Sequence, residues 1–361
     1  MTNLRSNVYK VEALYKAITA GEVHLASEAT VAAIGMLCDS SRVYAAQPIL
    51  VSGTCKCKAA EPHAALITNI VRACNDKVDK VKGRLLSIAS DGEARRGAAL
   101  VMLTQRCTLS SSSNIYQLLR GLHLMNLLVG DDDVTADKGY KHVFKRLRNL
   151  LLREKGTVIN GFHITTSLLS VHLRTDGMPP HCAAYLLNPN DKQDVVLALM
   201  LLKAIWELRD PIDTDTPAFT HARRHIKILG SFFFYLVAPY IQVTLSLHQQ
   251  LVYLSAAAHL LLSLYSNAGN KFVPKILYND IQIMIKNVYF CVAKVKADHP
   301  SAQFWILLLG TNRLEIAFGI YCTMIGNDAN TNILQLSGQI ASVSEASRIL
   351  AKYSQWDHGP R

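Results

Sequence analysis

The sequence lacks any pair of cysteines spaced CxxC and any Cys/His grouping of the zinc-site kind, although it contains eight cysteines. Cys38, Cys55, Cys57, Cys74, Cys107, Cys182, Cys291 and Cys322 are scattered, and Cys55-Lys56-Cys57 alone does not define a metal site. The opening residues, MTNLRSNVYKVEALY, have no apolar leader core, so an intracellular, reducing setting is expected, nuclear or cytoplasmic and not secreted. Clean membrane-spanning runs are missing as well. The longest apolar stretch, residues 228–247, is broken by Pro239 and Gln242, and no membrane partner is expected. HExxH, GxSxG and GxxxxGK(S/T) are all absent, which removes the usual sequence signs of a zinc protease, a serine hydrolase and a P-loop protein. There is no internal repeat and no low-complexity segment.

What is present is a chain able to fold. Of 361 residues half are apolar and only 18% charged, which excludes a disordered polyelectrolyte and leaves room for one large or two ordinary domains. Lys and Arg outnumber Asp and Glu by 38 to 27, a net +11 that suits a polyanion or an acidic surface as partner. The densest basic cluster is Lys138, Lys141, His142, Lys145, Arg146, Arg148 and Arg153. Two readings of it stand side by side. It grips phosphates, or it is the solvated face of a helix.

Along the chain, ATVAAIGMLC (29–38) and VYAAQPILV (43–51) flank Asp39-Ser40-Ser41 and predict a β-hairpin. A helix over 63–74, a short strand at 84–89 and a helix from Glu93 follow, an order that fits the first half of an RNase H-like fold. Residues 114–124 predict a helix, 125–130 a strand and 140–152 the basic helix. Beyond Gly156 helices are expected at 165–174, 192–208, 219–237, 247–266 and 273–295, with 210–217 (DPIDTDTP) as a loop, and two more helices near the end. The expected architecture is an α/β core with an RNase H-like mixed sheet and a large, mostly α-helical insertion. Its expected divisions are a lead-in helix (1–21), the first part of the core (22–155), the insertion (156–303) and closing helices (304–361).

Three acids sit at the end of an apolar strand or the start of a helix: Glu28, Asp91 and Glu315. Two-metal phosphoryl transfer needs carboxylates from separate elements, because two Mg²⁺ ions must be flanked by hard oxygen ligands. Asp91 ends RLLSIAS and precedes Gly92; it reads equally as a turn residue or as the N-cap of the next helix. Glu315 lies in a helix whose Leu314, Ala317 and Phe318 would pack inward, and on composition alone it is a solvated helix residue. Glu28 is one of several acids in a polar lead-in. The thirteen histidines form no ligand pair, and His259 reads as a core histidine.

Four separated stretches resemble P-element-like transposases, the group that includes the animal THAP-domain transposases. Ser90-Asp91-Gly92-Glu93-Ala94-Arg95-Arg96 resembles the strand-ending Asp-Gly motif whose Asp is the second catalytic acid. Asp137, His142, Lys145, Arg148 and Asn149 resemble Asp-x-x-His-x-x-Lys-x-x-Arg-Asn, with two extra residues between Asp and His. The segment Leu187 to Lys192 is similar to one that opens a helix in the family's inserted domain. Glu315 with Phe318-Gly319, then Gly326-Asn327-Asp328-Ala329-Asn330, resembles the closing motif whose Glu is the third acid. The resemblance covers about residues 25 to 335 and implies DNA strand cleavage and transfer by two Mg²⁺ ions held by Asp91, Glu315 and Glu28. It implies DNA as partner, with phosphate contacts from Lys138, Lys141, Lys145, Arg146 and Arg148, and it is compatible with a homo-oligomer. It also implies a nucleotide, GTP, at Asp137, Lys145, Asn188 and Lys192. The sequence departs from the family where Ser27-Glu28 replaces an Asp-Glu pair and Tyr321-Cys322 replaces a basic residue. No DNA-binding zinc module precedes the core. A DNA-binding descendant that no longer cuts, and a helical scaffold unrelated to nucleic acid, are the alternatives.

Overall fold

The structure, a computed structural model, describes residues 2–22, 26, 28–37, 45–54, 59–77, 83–91, 93–326 and 332–356. The expected hairpin turn at 39–41, a strand near Cys55, Ser27, Gly92 and the stretch 327–330 of the closing motif lie outside the described residues.

In chain order the elements begin α1 (Thr2–Thr19), β1 (Glu28–Ile34), β2 (Gln47–Thr54), α2 (Ala60–Asn75), β3 (Ser87–Ser90), α3 (Ala94–Thr104), β4 (Cys107–Thr108), α4 (Tyr116–Leu119), β5 (Leu128–Val129) and β6 (Thr135–Lys138). There follow α5 (Tyr140–Leu151), β7 (Thr157–Ile159), β8 (Phe162–Ile164), α6 (Thr166–Thr175), α7 (Pro180–Leu186) and α8 (Val195–Trp206). The last are α9 (Pro217–Ile241), α10 (Leu247–Ala268), α11 (Lys275–Asp298), α12 (Asn312–Met324) and α13 (Ile333–Lys352). Side chains set the starts of the long helices. Asp194 caps α8, Thr216 caps α9 just ahead of Pro217, and Ser246 with Gln249 forms a capping box on α10.

The expected single mixed sheet is not seen among the described residues. Among them the strands pair two by two: β1 with β2, β4 with β5 and β7 with β8 antiparallel, and β3 with β6 parallel. The mixed α/β character is present, with helix dominating. The β1–β2 hairpin has a register irregularity between Ala32 and Ala33. The β7–β8 hairpin turns on Asn160-Gly161, both at positive φ (48° and 82°), the backbone a tight two-residue hairpin requires.

Two compact units emerge: Met1–Lys80 with Asn312–Arg361, and Val81–Thr311. In the first, Ala317 and Tyr321 of α12 pack with Leu336 and Val343 of α13 and Ala45. The buried face of α12 is therefore Arg313, Ala317 and Tyr321, one helical step away from the expected Leu314 and Phe318. The second unit holds the expected insertion together with β3, α3 and β6. Its core is built on α9 and α11, where Phe232, Phe233, Ile281 and Val288 are fully buried. Each such side chain contributes about 1.5–3 kcal/mol by leaving water. The apolar stretch 228–247 runs from this core helix through the break at 242–246 and carries Leu236 and Val237 inside the core. Leu247–Lys271 is long and apolar enough to cross a membrane by length and composition.

Candidate functional site

β3 and β6 run side by side with Ala89 opposite Asp137 and Ser90 opposite Lys138, and α3 follows β3 directly. The carboxyl ends of these strands thus place Asp91, Lys138 and the start of α3 together. Such ends are the favoured location for ligands of parallel sheets, because the following helix begins there with its N–H groups unfilled.

The cap of α3 is Glu93, whose carboxylate accepts hydrogen bonds from the backbone N–H of Arg95 (3.0 Å) and Arg96 (2.6 Å). This settles one of the alternatives for Asp91, which does not cap the helix. Asp91 is half exposed, and its Oδ1 accepts from Arg96 Nη1 at 3.0 Å. Glu28 opens β1 and Glu315 lies in the first turn of α12; both side chains are exposed and both belong to the first unit, Asp91 to the second. Among the described residues no three His, Cys, Asp or Glu side chains stand together as a metal-holding group. One carboxylate supplies the right oxygen chemistry for Mg²⁺, but a two-ion centre needs more ligands than Asp91 alone.

Asp137 differs in kind. It is 1% exposed; its Oδ1 accepts from the backbone N–H of Lys138 (2.8 Å) and its Oδ2 from that of Gly310 (2.7 Å). Burial pushes its carboxyl up to about 7, against the downward pull of those two N–H groups. The clasp joins the two ends of the chain segment between β6 and α12. Gly310, at φ 82°, lies so close to Gly139 that a Cβ there would stand 3.1 Å from the Gly139 Cα. Where the sequence reading placed a nucleotide contact, Asp137 is an internal fastening.

The basic cluster likewise does not form one phosphate-facing surface. Lys138 is buried, its Nζ 3.7 Å from Asp280 Oδ1 and within 3.5 Å of Ser90 Oγ. Gly97 of α3 leaves room for it, since a Cβ there would lie 3.1 Å from that Nζ. Arg146 also pairs with Asp280. Arg148 is fully buried and donates to the carbonyls of Leu186, Asn188 and Asp191, while burial pulls its guanidinium below the usual range. These corrections share a cause: a cation that replaces its lost water with carbonyls or a carboxylate is held inside. Lys141 and Lys145 remain half exposed. Asp280 was missed in the sequence, although as a single acid amid KILYNDIQIMI it signals a buried partner for a cation.

α5 nevertheless draws together two segments that only the family resemblance had linked. Arg148 holds the carbonyls at 186–191, Asn149 Nδ2 donates to Lys192 O (3.4 Å), and Lys145 Nζ donates to Gln193 Oε1 (3.2 Å). The loop 188–193 is further shaped by Asn188 Oδ1 accepting from Asn190 N–H and by Asp191 Oδ1 accepting from the Gln193 and Asp194 N–H groups. Lys145, Asn188 and Lys192 thus belong to one neighbourhood, with Asn188 and Lys192 exposed.

No family model matches the sequence, and no curated protein matches it. Among solved structures, a chain of the Drosophila P element transposase strand transfer complex is similar, with a TM-score of 0.58 and 14% sequence identity over 91% of this chain and 76% of that one. At that identity the likeness is one of fold: this chain has a P element transposase-like fold.

Proposed function

We propose that this protein is a transposase-like DNA-binding protein that cuts and joins DNA strands, with Asp91 as its central metal-binding carboxylate. The observation that carries the reading is the fold shared with the P element transposase chain over 91% of this one, with Asp91 at the half-exposed end of β3. In this reading β3, α3 and β6 belong to an RNase H-like core, and Glu315 and Glu28 join Asp91 as ligands. Two Mg²⁺ ions, when bound, would supply activation of the attacking oxygen and stabilisation of the leaving one. The protein's own part is to hold Asp91 ready through Arg96 and to offer Lys141 and Lys145 to backbone phosphates. The exposed loop of Asn188 and Lys192, beside Lys145, is the place for a nucleotide phosphate.

A second reading is a DNA-binding descendant that does not cut. It is favoured by the absence of a three-donor group among the described residues and by Ser27-Glu28 in place of an Asp-Glu pair. Equilibrium DNA binding across a salt series, followed by incubation of labelled DNA with Mg²⁺, separates the two. Salt-dependent binding with Mg²⁺-dependent product supports the first reading, and binding without product supports the second. Salt-independent or absent binding would remove both.

A further inference from the structure

A cavity of about 900 Å³ opens in the second unit between α3, the loop 121–126, α10 and α11. Its size falls in the range of small-molecule sites, roughly 300–1,000 Å³, and the transposase reading makes no use of it. Most of its wall is apolar, from Val101, Leu122, Met125, Leu262, Ile283 and Tyr289. At its mouth, apolar side chains face water: Leu124 is 78% exposed and Ile276 57%. Leu124 also holds a left-handed backbone (φ 69°), which residues with a Cβ seldom adopt and which clusters at ligand sites.

The charged part of the wall holds two carboxylates, Glu93 and Asp280, and two ammonium groups, Lys138 and Lys286. Both carboxylates are engaged: Glu93 caps α3, and Asp280 pairs with Lys138 and with Arg146, which does not line the cavity. Lys286 is 93% buried, being 7% exposed. Its ammonium donates to the Leu128 carbonyl and lies 5.3 Å from the centre of the Phe290 ring, and no carboxylate is within ion-pair distance among the described residues. An ammonium has three donors, and a buried one without a counter-charge is costly. Burial, reinforced by the Lys294 ammonium, pulls Lys286 down to about 8.

We propose that this cavity binds an amphipathic small molecule with a single anionic group, its acid meeting the Lys286 ammonium and its apolar body lying along the wall of α3, α10 and α11. A fatty-acid-like carboxylate matches both halves. A nucleotide, whose several phosphate charges exceed what one ammonium without a carboxylate offers, matches neither as well.

The test is calorimetric titration of the full-length chain with decanoate and with decanol, together with displacement of bound anilinonaphthalene sulfonate. One decanoate per chain is expected, with dye released, and with decanol weaker by about tenfold or more, the worth of a charged hydrogen bond. Lys286→Gln should weaken decanoate by a similar factor, and Val101→Trp, which fills the mouth from a partly exposed position, should weaken both ligands. The decanoate–decanol comparison on the wild type decides the matter even if a variant misfolds. No saturable decanoate binding, decanol binding as tightly as decanoate, or dye displacement by a nucleoside triphosphate but not by decanoate would overturn the proposal.

Discussion

Asp91 directly follows β3 and Asp137 lies inside β6, the two strands of one parallel pair, yet the surroundings treat them in opposite ways. Asp91 is half exposed and answered by a single arginine, with the capping of α3 left to Glu93. Asp137, opposite Ala89 in the ladder, is shut away and filled by two backbone N–H groups. The same division runs through α5, where Arg148 is spent on three carbonyls and Lys141 and Lys145 keep access to water. Charged residues close together in sequence thus divide into those that hold the fold and those able to meet a ligand. Burial, rather than residue type, makes the division.

The largest effects should come from the internal members. Arg148→Ala strands the carbonyls of Leu186, Asn188 and Asp191 and leaves a void, so a loss of about 4 kcal/mol is expected in urea denaturation. Asp137→Ala leaves the N–H groups of Lys138 and Gly310 without an acceptor and should cost about 3 kcal/mol in the same measurement. A cost below about 1 kcal/mol for either would erase the contrast.

A pH series sharpens it. Between the ordinary aspartate value and about 7, folded Asp137 holds a proton that the unfolded chain has released. Its stabilising contribution is complete below that window and is lost as pH rises through it. His172, pushed down to about 4 by burial and then by the Arg223 guanidinium, acts oppositely and adds stability as pH rises from about 4 to 6.5. Comparing the wild type with Asp137→Asn at each pH cancels His172. The wild type should lose about 3 kcal/mol relative to the variant between pH 4 and 7; a difference independent of pH would mean that Asp137 is charged throughout.

The smallest stability effect belongs to Asp91. Its ion pair with Arg96 is partly solvated, so Asp91→Asn should change stability by less than about 1 kcal/mol.

How much of this was legible in the sequence follows from how each signal is written. Apolar residues at helical spacing marked α2, α3, α5 and α8 to α11, and two apolar runs flanking a turn marked β1 and β2. β6 escaped because Thr-Ala-Asp-Lys has no apolar run, although all four residues are buried. The β7–β8 hairpin was overlooked although Asn160-Gly161 between VI and FHI spells its turn. The expected helix over 114–124 shrinks to Tyr116–Leu119, and the chain beyond it passes through Gly121 to the left-handed Leu124. The burial of Arg148 was readable in part, for Phe144, Arg148 and Leu151 share one helical stripe. Glu93's capping of α3 was not, because any acid near that turn fits equally well. The position of Asp91 at a strand end was legible; the partners that would complete a metal centre with it were not, since they depend on elements far apart in the chain.

The most direct measurement is Mg²⁺-dependent DNA strand transfer by the wild type, Asp91→Asn and Asp137→Asn, each first confirmed as folded. The account predicts product from the wild type, a loss of at least about a hundredfold in Asp91→Asn, and activity in Asp137→Asn in proportion to the protein that stays folded. Equal rates for the wild type and Asp91→Asn, or no product from the folded wild type, would contradict it.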